Sequence, residues 1–368
     1  MMHTEFSFDF TEADKSKLKG KVSLEKAEGK ITKHTPILYK CGELEVNGNT
    51  NLKLCFVHSK FTKGYIYTYK TKPNPNFFKL LDIDFPHKYL NSTIRLPGQL
   101  VFGFERTKLV NRAIRDVFRT NIIENLVKKT SQDNIITVPI LREGIKYQIN
   151  ESLHSNYGYL CEEIVTDSHH EADPTVAGYG RRGVLKLFKD QDISQKQRKN
   201  VEVAFIGDSI ASGITLLIVL NKLAENYPNL RNVEIIAPLA ALRGLARLGN
   251  NLNYNFSVRI HLFETVLNAM PPDYYYSAHY PYEELHFDIS EEQKYRDWWG
   301  QDSSANWISQ TACAGFGWSE AFFNPRKQKE MIDNQLHLRN KTSIKEIIQK
   351  NIKNGKLFVD ISEIISAY

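Results

Sequence analysis

The sequence predicts an α/β fold in which a mainly parallel sheet is flanked by helices. Between about residues 100 and 270, apolar strand-like segments alternate with helical ones, which is typical of such a sheet. Two glycine-containing loops follow predicted strands, and open α/β sheets bind ligands at the carboxyl ends of their strands. The predicted core strands are Ile135–Leu141, Tyr159–Val165, Val201–Ile206, Val233–Pro238 and Phe256–Leu262.

A β-rich N-terminal extension is predicted over residues 1–90. Its strand-like segments are Lys21–Leu24, Leu44–Val46, Leu52–Val57 and Tyr65–Tyr69. Turn signals lie at Gly29, Asn47-Gly48 and Lys63-Gly64, and a Pro-Asn run over residues 72–76 breaks the pattern. This extension could pair subunits or cover a site.

The α/β domain is predicted to cover residues 91–325, and residues 326–368 form a helical extension that could support oligomerisation. An aromatic cluster lies near the end of the domain. Such side chains could form a hood that stacks on a flat ligand, but packing in a core or a subunit interface is the favoured interpretation. The cluster comprises Tyr274, Tyr275, Tyr276, Tyr280, Tyr282, Trp298, Trp299, Trp307 and Trp318.

Composition excludes several classes of protein. The 368 residues are 42% hydrophobic and 24% charged, as in ordinary globular domains. The net charge of +6 suits acidic small molecules and argues against nucleic acid. No apolar run is long enough for a membrane span, and the N-terminus lacks a secretory signal. A cytoplasmic location is predicted, because the four cysteines lack disulfide or metal spacing: Cys41, Cys55, Cys161 and Cys313.

The segment Val203–Thr215, VAFIGDSIASGIT, predicts a phosphate site. A strand runs into Asp208, then a loop of small and hydroxyl residues leads into an apolar helix. The free N–H groups of a helix N-terminus bind anions, and Gly213 allows close backbone approach. The loop lacks the Gly-Lys-Ser/Thr of a Walker A motif and the three glycines of a dinucleotide fingerprint. The alternative is an ordinary buried strand that ends in a turn.

A second strand–loop–helix segment, Ile135–Ile149, reads IITVPILREGIKYQI. Arg142 could form a bidentate contact with pyrophosphate, and Gly144 permits close backbone approach. The alternative is a surface turn with a solvated Arg–Glu pair.

These segments resemble the type I phosphoribosyltransferases, and most closely the uracil phosphoribosyltransferases. Val203–Thr215 resembles the family's 5-phosphoribosyl 1-pyrophosphate (PRPP) motif, matched by the apolar strand, Asp208 and the phosphate loop. Gly207 departs from the motif, where the family usually has a first acid, and so does Ile214, where a second glycine is common. VPILREG resembles the uracil enzymes' pyrophosphate loop, with Glu143 in place of alanine.

The resemblance implies transfer of ribosyl phosphate from PRPP to a nucleobase, with a pyrimidine such as uracil favoured. It implies Mg²⁺ bound with PRPP, through substrate oxygens rather than protein ligands, and a role in pyrimidine salvage within nucleotide metabolism. A homo-oligomer, namely a dimer, is expected. The implied catalytic residues are Arg142 and Asp208. The implied PRPP-binding residues are Glu143, Gly144, Ser209, Ala211, Ser212, Gly213, Ile214 and Thr215.

Between the two motifs, Thr166–Asp190 is predicted to be a flexible loop that closes over pyrophosphate, with Arg181 and Arg182 as its basic residues. A metal site at His169 and His170 is conceivable but lacks characteristic ligand spacing.

Two other functions remain open. Gly207, Glu143 and the absent Gly-Leu-Gly-Asp-Ala-Gly-Asp hood signature favour a non-catalytic PRPP or nucleotide sensor on the same fold. An interaction protein whose long flanking segments carry the function is the third.

Overall fold

The computed structural model describes residues 4–11, 17–25, 27–31, 36–85, 91–172, 181–267, 285–312, 315 and 323–359. The strands are β1 (Thr4–Thr11), β2 (Lys17–Leu24), β3 (Glu28–Ile31), β4 (Pro36–Val46), β5 (Asn49–His58), β6 (Thr68–Thr71), β7 (Thr93–Pro97), β8 (Ile135–Pro139), β9 (Glu162–Glu163), β10 (Thr166–Ala172), β11 (Arg181–Phe188), β12 (Val203–Gly207), β13 (Asn232–Ala237), β14 (Ser257–Phe263), β15 (Thr265–Val266), β16 (Leu285–His286) and β17 (Phe358–Val359).

The helices alternate with the core strands. They are α1 (Lys60–Ile66), α2 (Pro75–Leu80), α3 (Gly103–Phe118), α4 (Asn121–Lys128), α5 (Ile149–Tyr157), α6 (Gln195–Asn200), α7 (Ile214–Asn226), α8 (Leu242–Asn251), α9 (Ile289–Trp299), α10 (Ile308–Ala312), α11 (Pro325–Asn340) and α12 (Ile344–Lys353). Within these described ranges, no helix is long and apolar enough to cross a membrane.

The main sheet is mixed, with parallel pairing in its core. Among the described residues it contains ten strands, in the order β1-β2-β4-β5-β14-β13-β12-β8-β9, with β3 paired to β4. Along this order, the strands pair in antiparallel fashion from β1 to β5, and the neighbours β5-β14-β13-β12-β8-β9 all pair in parallel. The predicted α/β class with parallel core strands is therefore confirmed, although β9 is shorter than the predicted strand Tyr159–Val165.

The first strands do not form a sheet of their own. β5 pairs in parallel with β14, so β1–β5 extend the main sheet instead of a separate one. The expected turn at Asn47-Gly48 is present, with positive φ at both residues. The prediction of a strand over Tyr65–Tyr69 is wrong in its first half, because α1 continues through Tyr65 and Ile66, and the predicted turn at Lys63-Gly64 also lies within this helix.

Apolar side chains of the sheet pack against helices α7 and α8. Leu216, Val219, Leu220 and Leu223 of α7 join one core cluster with Leu245 and Leu248 of α8. Strands β8 and β12 are buried at every position, as expected for central parallel strands. Because these strands are buried along their whole length, their ends are held in place, and so are the first residues of the loops that follow them.

The chain divides into two compact units that differ from the predicted boundaries at residues 90 and 325. One comprises Met1–Thr62 with Val110–Phe287, and the other comprises Lys63–Leu109 with Asp288–Tyr368. In the second unit, β6, β7 and β17 form a small sheet.

The C-terminal helices pack into the second unit. Ile332 and Leu336 of α11 and Ile344 and Ile348 of α12 are buried. Trp298 and Trp299 are also buried, and Trp298 Nε1 donates a hydrogen bond to the Arg95 carbonyl at 3.0 Å. These two tryptophans are therefore core residues, as the favoured interpretation expected. The five tyrosines of the aromatic cluster, and Trp318, lie outside the described residues.

Candidate functional site

The loops after β8 and β12 emerge at the same edge of the sheet. The two strands are parallel neighbours, with Gly207 opposite Pro139. The Ile140 N–H donates to the Gly207 carbonyl at 3.0 Å, which continues the pairing beyond both strands. Asp208 follows β12 directly, and Arg142 follows β8 after Ile140 and Leu141, so both predicted motifs lie at one carboxyl edge.

The loop from Asp208 to Gly213 is held from behind by α8. A Cβ on Gly213, whose φ is +76°, would lie 2.8 Å from the Gly244 carbonyl oxygen, so close packing requires glycine there. Buried Arg247 donates from Nη1 to the Ser212 carbonyl. Ser212 Oγ accepts from the Ile214 N–H at 3.3 Å at the start of α7. The loop is thus shaped before any ligand arrives.

A cavity of about 280 Å³ opens in front of this loop. It is lined by residues 208–213 with Thr215 and Leu216, by Ile140 and Leu141, and by Ser168–His170 of β10. Predicted residues Asp208, Ser209, Ala211, Ser212, Gly213 and Thr215 therefore share one cavity. Ile214 instead points its side chain at β11, where a Cβ on Gly183 would lie 2.9 Å from Ile214 Cγ2.

Among the described residues that line the cavity, Asp208 is the one with an acidic side chain. Burial, and secondarily the charge of Glu143, raise its pKa well above the usual carboxyl value, while a hydrogen bond from the Ser209 N–H acts in the opposite direction. That N–H donates to Asp208 Oδ1 at 2.9 Å. The carboxyl group is therefore fixed at the cavity wall, where its charged form is disfavoured without a ligand.

A buried tyrosine links the two motifs. The Tyr147 hydroxyl donates to Glu143 Oε2 at 3.0 Å and lies 2.7 Å from Ser209 Oγ. Tyr147 is fully buried and Glu143 is 9% exposed. Glu143 thus does not form a solvated surface pair with Arg142, and its charge acts on Asp208 from the neighbouring loop.

The absence of an acid at Gly207 has a packing explanation. A Cβ there would lie 2.8 Å from Ile149 Cδ1 and 3.4 Å from Tyr147 Cδ2. The Gly207 carbonyl oxygen, in turn, leaves no room for a Cβ on Gly144. The two glycines let the loops touch, and the side chains after Gly144 fill the space that an acid would need.

Arg142 is not among the described residues that line the cavity, and its side chain is exposed. The peptide between Leu141 and Arg142 is cis, and a 3₁₀ turn follows over Gly144–Tyr147. Glu143 and Gly144 also lie behind the cavity rather than in its wall. The structure brings these residues to the correct sheet edge but does not join them to the phosphate loop's cavity.

The segment Thr166–Asp190, predicted to be a flexible loop, has strands at its two ends, because β10 and β11 form an antiparallel ribbon. Leu185 and Phe188 pack against the core cluster, and this contact holds the ribbon against α7. Arg181 lies on β11, opposite Ala172. Arg182 pairs across the ribbon with Glu171 at 3.0 Å, so it is engaged on the ribbon itself.

Sequence reasoning missed Tyr147, Ser168 and Arg247 as parts of the site. Arg247 had a readable signal: Arg243 and Arg247 are four residues apart on a helix that is otherwise apolar, so burial forces them to find internal acceptors. Tyr147 and Ser168 had none, because their roles depend on contacts between distant segments.

Comparison with known proteins finds similarity only at the level of solved structures. No family model and no curated protein matches the chain. A hypoxanthine phosphoribosyltransferase from Staphylococcus aureus has a TM-score of 0.29 and 15% identity, covering 41% of this chain and 73% of its own. A xanthine-guanine-hypoxanthine phosphoribosyltransferase from Helicobacter pylori has a TM-score of 0.23 and 10% identity, covering 44% and 89%.

A protein of Aquifex aeolicus has a TM-score of 0.31 and 14% identity, covering 53% of this chain and 87% of its own. Similarities this weak assign no function to the chain. The finer resemblance to uracil enzymes therefore stays a prediction.

Proposed function

We propose that this chain binds PRPP and transfers its ribosyl phosphate to a nucleobase, with a pyrimidine such as uracil favoured, releasing pyrophosphate. The observation that carries the proposal is the cavity in front of residues 208–215. It combines a carboxylate, hydroxyl groups and the N-terminus of α7 at the carboxyl edge of a parallel sheet.

Each part of PRPP has a matching region. The 5-phosphate lies at Ser212–Thr215, where loop N–H groups and hydroxyls face an anion. Asp208 accepts hydrogen bonds from the ribose hydroxyls, which offsets its unfavourable burial as a charged group. Pyrophosphate extends toward the strand end of β8, where Arg142 swings in from solvent and the Gly144 loop backbone lies close.

In the reaction, a ring nitrogen of the nucleobase forms a bond to C1 of the ribose as the bond from C1 to the pyrophosphate oxygen breaks. The proton of that nitrogen passes to solvent. Positive charge develops on the ribose ring and negative charge on the leaving group. Asp208 faces the positive charge on the ribose ring, and Arg142 faces the negative charge on the leaving pyrophosphate. Mg²⁺, held by PRPP oxygens and water, would supply further charge neutralisation, and the crowded carboxylates Asp208 and Glu143 suit a nearby cation.

Two measurements test this function. Isothermal titration calorimetry with PRPP and Mg²⁺ measures binding, and a pyrophosphate-release assay with uracil, cytosine, orotate, hypoxanthine, guanine and adenine measures transfer. We expect PRPP binding and release with a pyrimidine. Absence of PRPP binding would contradict the proposal.

A PRPP or nucleotide sensor is the second candidate. The buried Glu143 charge beside the expected pyrophosphate position favours it, because that charge opposes leaving-group stabilisation. Tight PRPP binding without pyrophosphate release for any base would support the sensor. A homodimer and a cytoplasmic location remain proposals from the sequence.

A further inference from the structure

The ribbon of β10 and β11 presents two different faces. Successive side chains of a strand alternate, so Ser168 and His170 share one face while His169 and Glu171 share the other. Ser168 Oγ lies 3.1 Å from Thr215 Oγ1, and His170 Nε2 lies 3.3 Å from the same oxygen. His169 Nε2 lies 2.9 Å from Glu171 Oε1, and the other carboxylate oxygen, Oε2, pairs with Arg182.

A cationic side chain in this cavity would strengthen phosphate binding beyond what the loop N–H groups and hydroxyls supply. The loop 208–215 contains no basic residue. Among the described residues that line the cavity, the ionisable side chains are Asp208, His169 and His170. His169 contacts Glu171 of the ribbon, and His170 contacts the hydroxyl end of the loop through Thr215 Oγ1. A phosphate dianion beside Asp208 would otherwise meet only neutral donors.

We propose that His170, with Ser168 and Thr215, forms the subsite for the terminal phosphate monoester of the phosphorylated sugar. The inference rests on the proposed function, since it assigns one end of the PRPP cavity. The ribbon thus contributes a phosphate-binding wall opposite the α7 N-terminus, rather than covering the pyrophosphate end. No bond is made or broken in this role: the imidazolium donates a charge-assisted hydrogen bond to a phosphate oxygen.

The test measures the affinity of the full chain for three ligands at pH 6.0, where ordinary imidazoles are mostly protonated. Ribose 5-phosphate carries only the monoester, pyrophosphate carries only the opposite end, and PRPP carries both. The variant is His170→Gln, which keeps a hydrogen-bonding group beside Thr215 but removes the charge. The matched control is His154→Gln, an exposed histidine on α5 outside the cavity lining.

We expect His170→Gln to weaken ribose 5-phosphate and PRPP binding by about tenfold or more, as for loss of a charged hydrogen bond. The affinity of His170→Gln for pyrophosphate should stay within about twofold of the wild-type value. Ser168→Ala should give a smaller loss for the same two ligands, and His154→Gln none. Circular dichroism and thermal melting show that each variant is folded.

Failures of the two proposals are distinguishable. Unchanged ribose 5-phosphate affinity in folded His170→Gln overturns the subsite, as does a wild-type protein that binds PRPP and pyrophosphate but not ribose 5-phosphate. If ribose 5-phosphate binding depends on His170 but no base releases pyrophosphate, the transferase proposal fails and the subsite stands. Absence of binding by all three ligands overturns both.

Discussion

Gly144 and Gly207 touch through their backbones, so that a Cβ on Gly144 would overlap the carbonyl oxygen of Gly207. This contact joins the two loops that follow β8 and β12. It explains why residue 144 is glycine, while the side chains of Ile149 and Tyr147 occupy the space that a side chain at Gly207 would need.

Gly144→Ala should destabilise the fold by about 3 kcal/mol, because backbone rather than a flexible side chain must move. Urea unfolding measures the change. Gly158→Ala is the control: a Cβ there meets nothing within 4 Å, so its positive φ alone costs about 1 kcal/mol. Equal losses in the two variants would contradict the contact.

Asp208→Asn should raise stability at neutral pH while it lowers PRPP affinity at least about tenfold. The folded pKa of Asp208 lies above the unfolded value of about 3.9, so the folded protein binds the proton more tightly. Its contribution to stability therefore falls as pH rises from about 4 through the raised pKa.

Urea unfolding between pH 4 and 8 should show that slope in the wild type and a flatter profile in Asp208→Asn. Isothermal titration calorimetry then measures the affinity of both proteins for PRPP. Retained PRPP affinity in this variant would remove Asp208 from the site.

Glu143→Gln should lower the pKa of Asp208, because it removes a negative charge that raises it. If ligand binding needs ionised Asp208, PRPP affinity rises with pH through that pKa. The variant should shift this rise to lower pH, as measured by titration calorimetry across a pH series. Glu151→Gln, an exposed carboxylate on α5, should leave the midpoint in place. A midpoint that does not move would show that Glu143 has no electrostatic effect on the site.

Arg142→Ala should reduce pyrophosphate release by about a hundredfold while the melting temperature stays unchanged. The side chain is exposed in this structure and packs in no core, so folding does not depend on it. Arg142→Lys should recover little activity, because an ammonium group cannot form the bidentate contact. Full activity in Arg142→Ala would place the leaving group elsewhere.

The sequence was sufficient to predict the strand–loop–helix units, because each is a local pattern. Val203–Gly207 is apolar throughout and is followed by Asp208 and Ser209, and Ile135–Pro139 is apolar except for Thr137 and leads into a polar loop after Leu141. It was also sufficient to predict that Asp208 and Thr215 lie close together, since they belong to one continuous segment, and both line the same cavity.

Long-range pairing could not be predicted in the same way. Nothing local indicates that β5 joins β14, or that Ser168 reaches Thr215 from a ribbon 47 residues earlier. The segment around Arg182 contains several glycines, which favoured a loop, but the apolar residues Leu185 and Phe188 decide its structure by packing on the core.

The parallel pairing of β5 with β14 also has a consequence for synthesis. Roughly 200 residues of chain separate the two strands, so the contact has a high sequence separation. The β4–β5 hairpin can close early, yet one edge of β5 stays without its partner until β14 has left the ribosome. An apolar strand edge exposed for that long is a template for aggregation. We therefore expect incompletely synthesised chains to be prone to aggregation at this edge of β5.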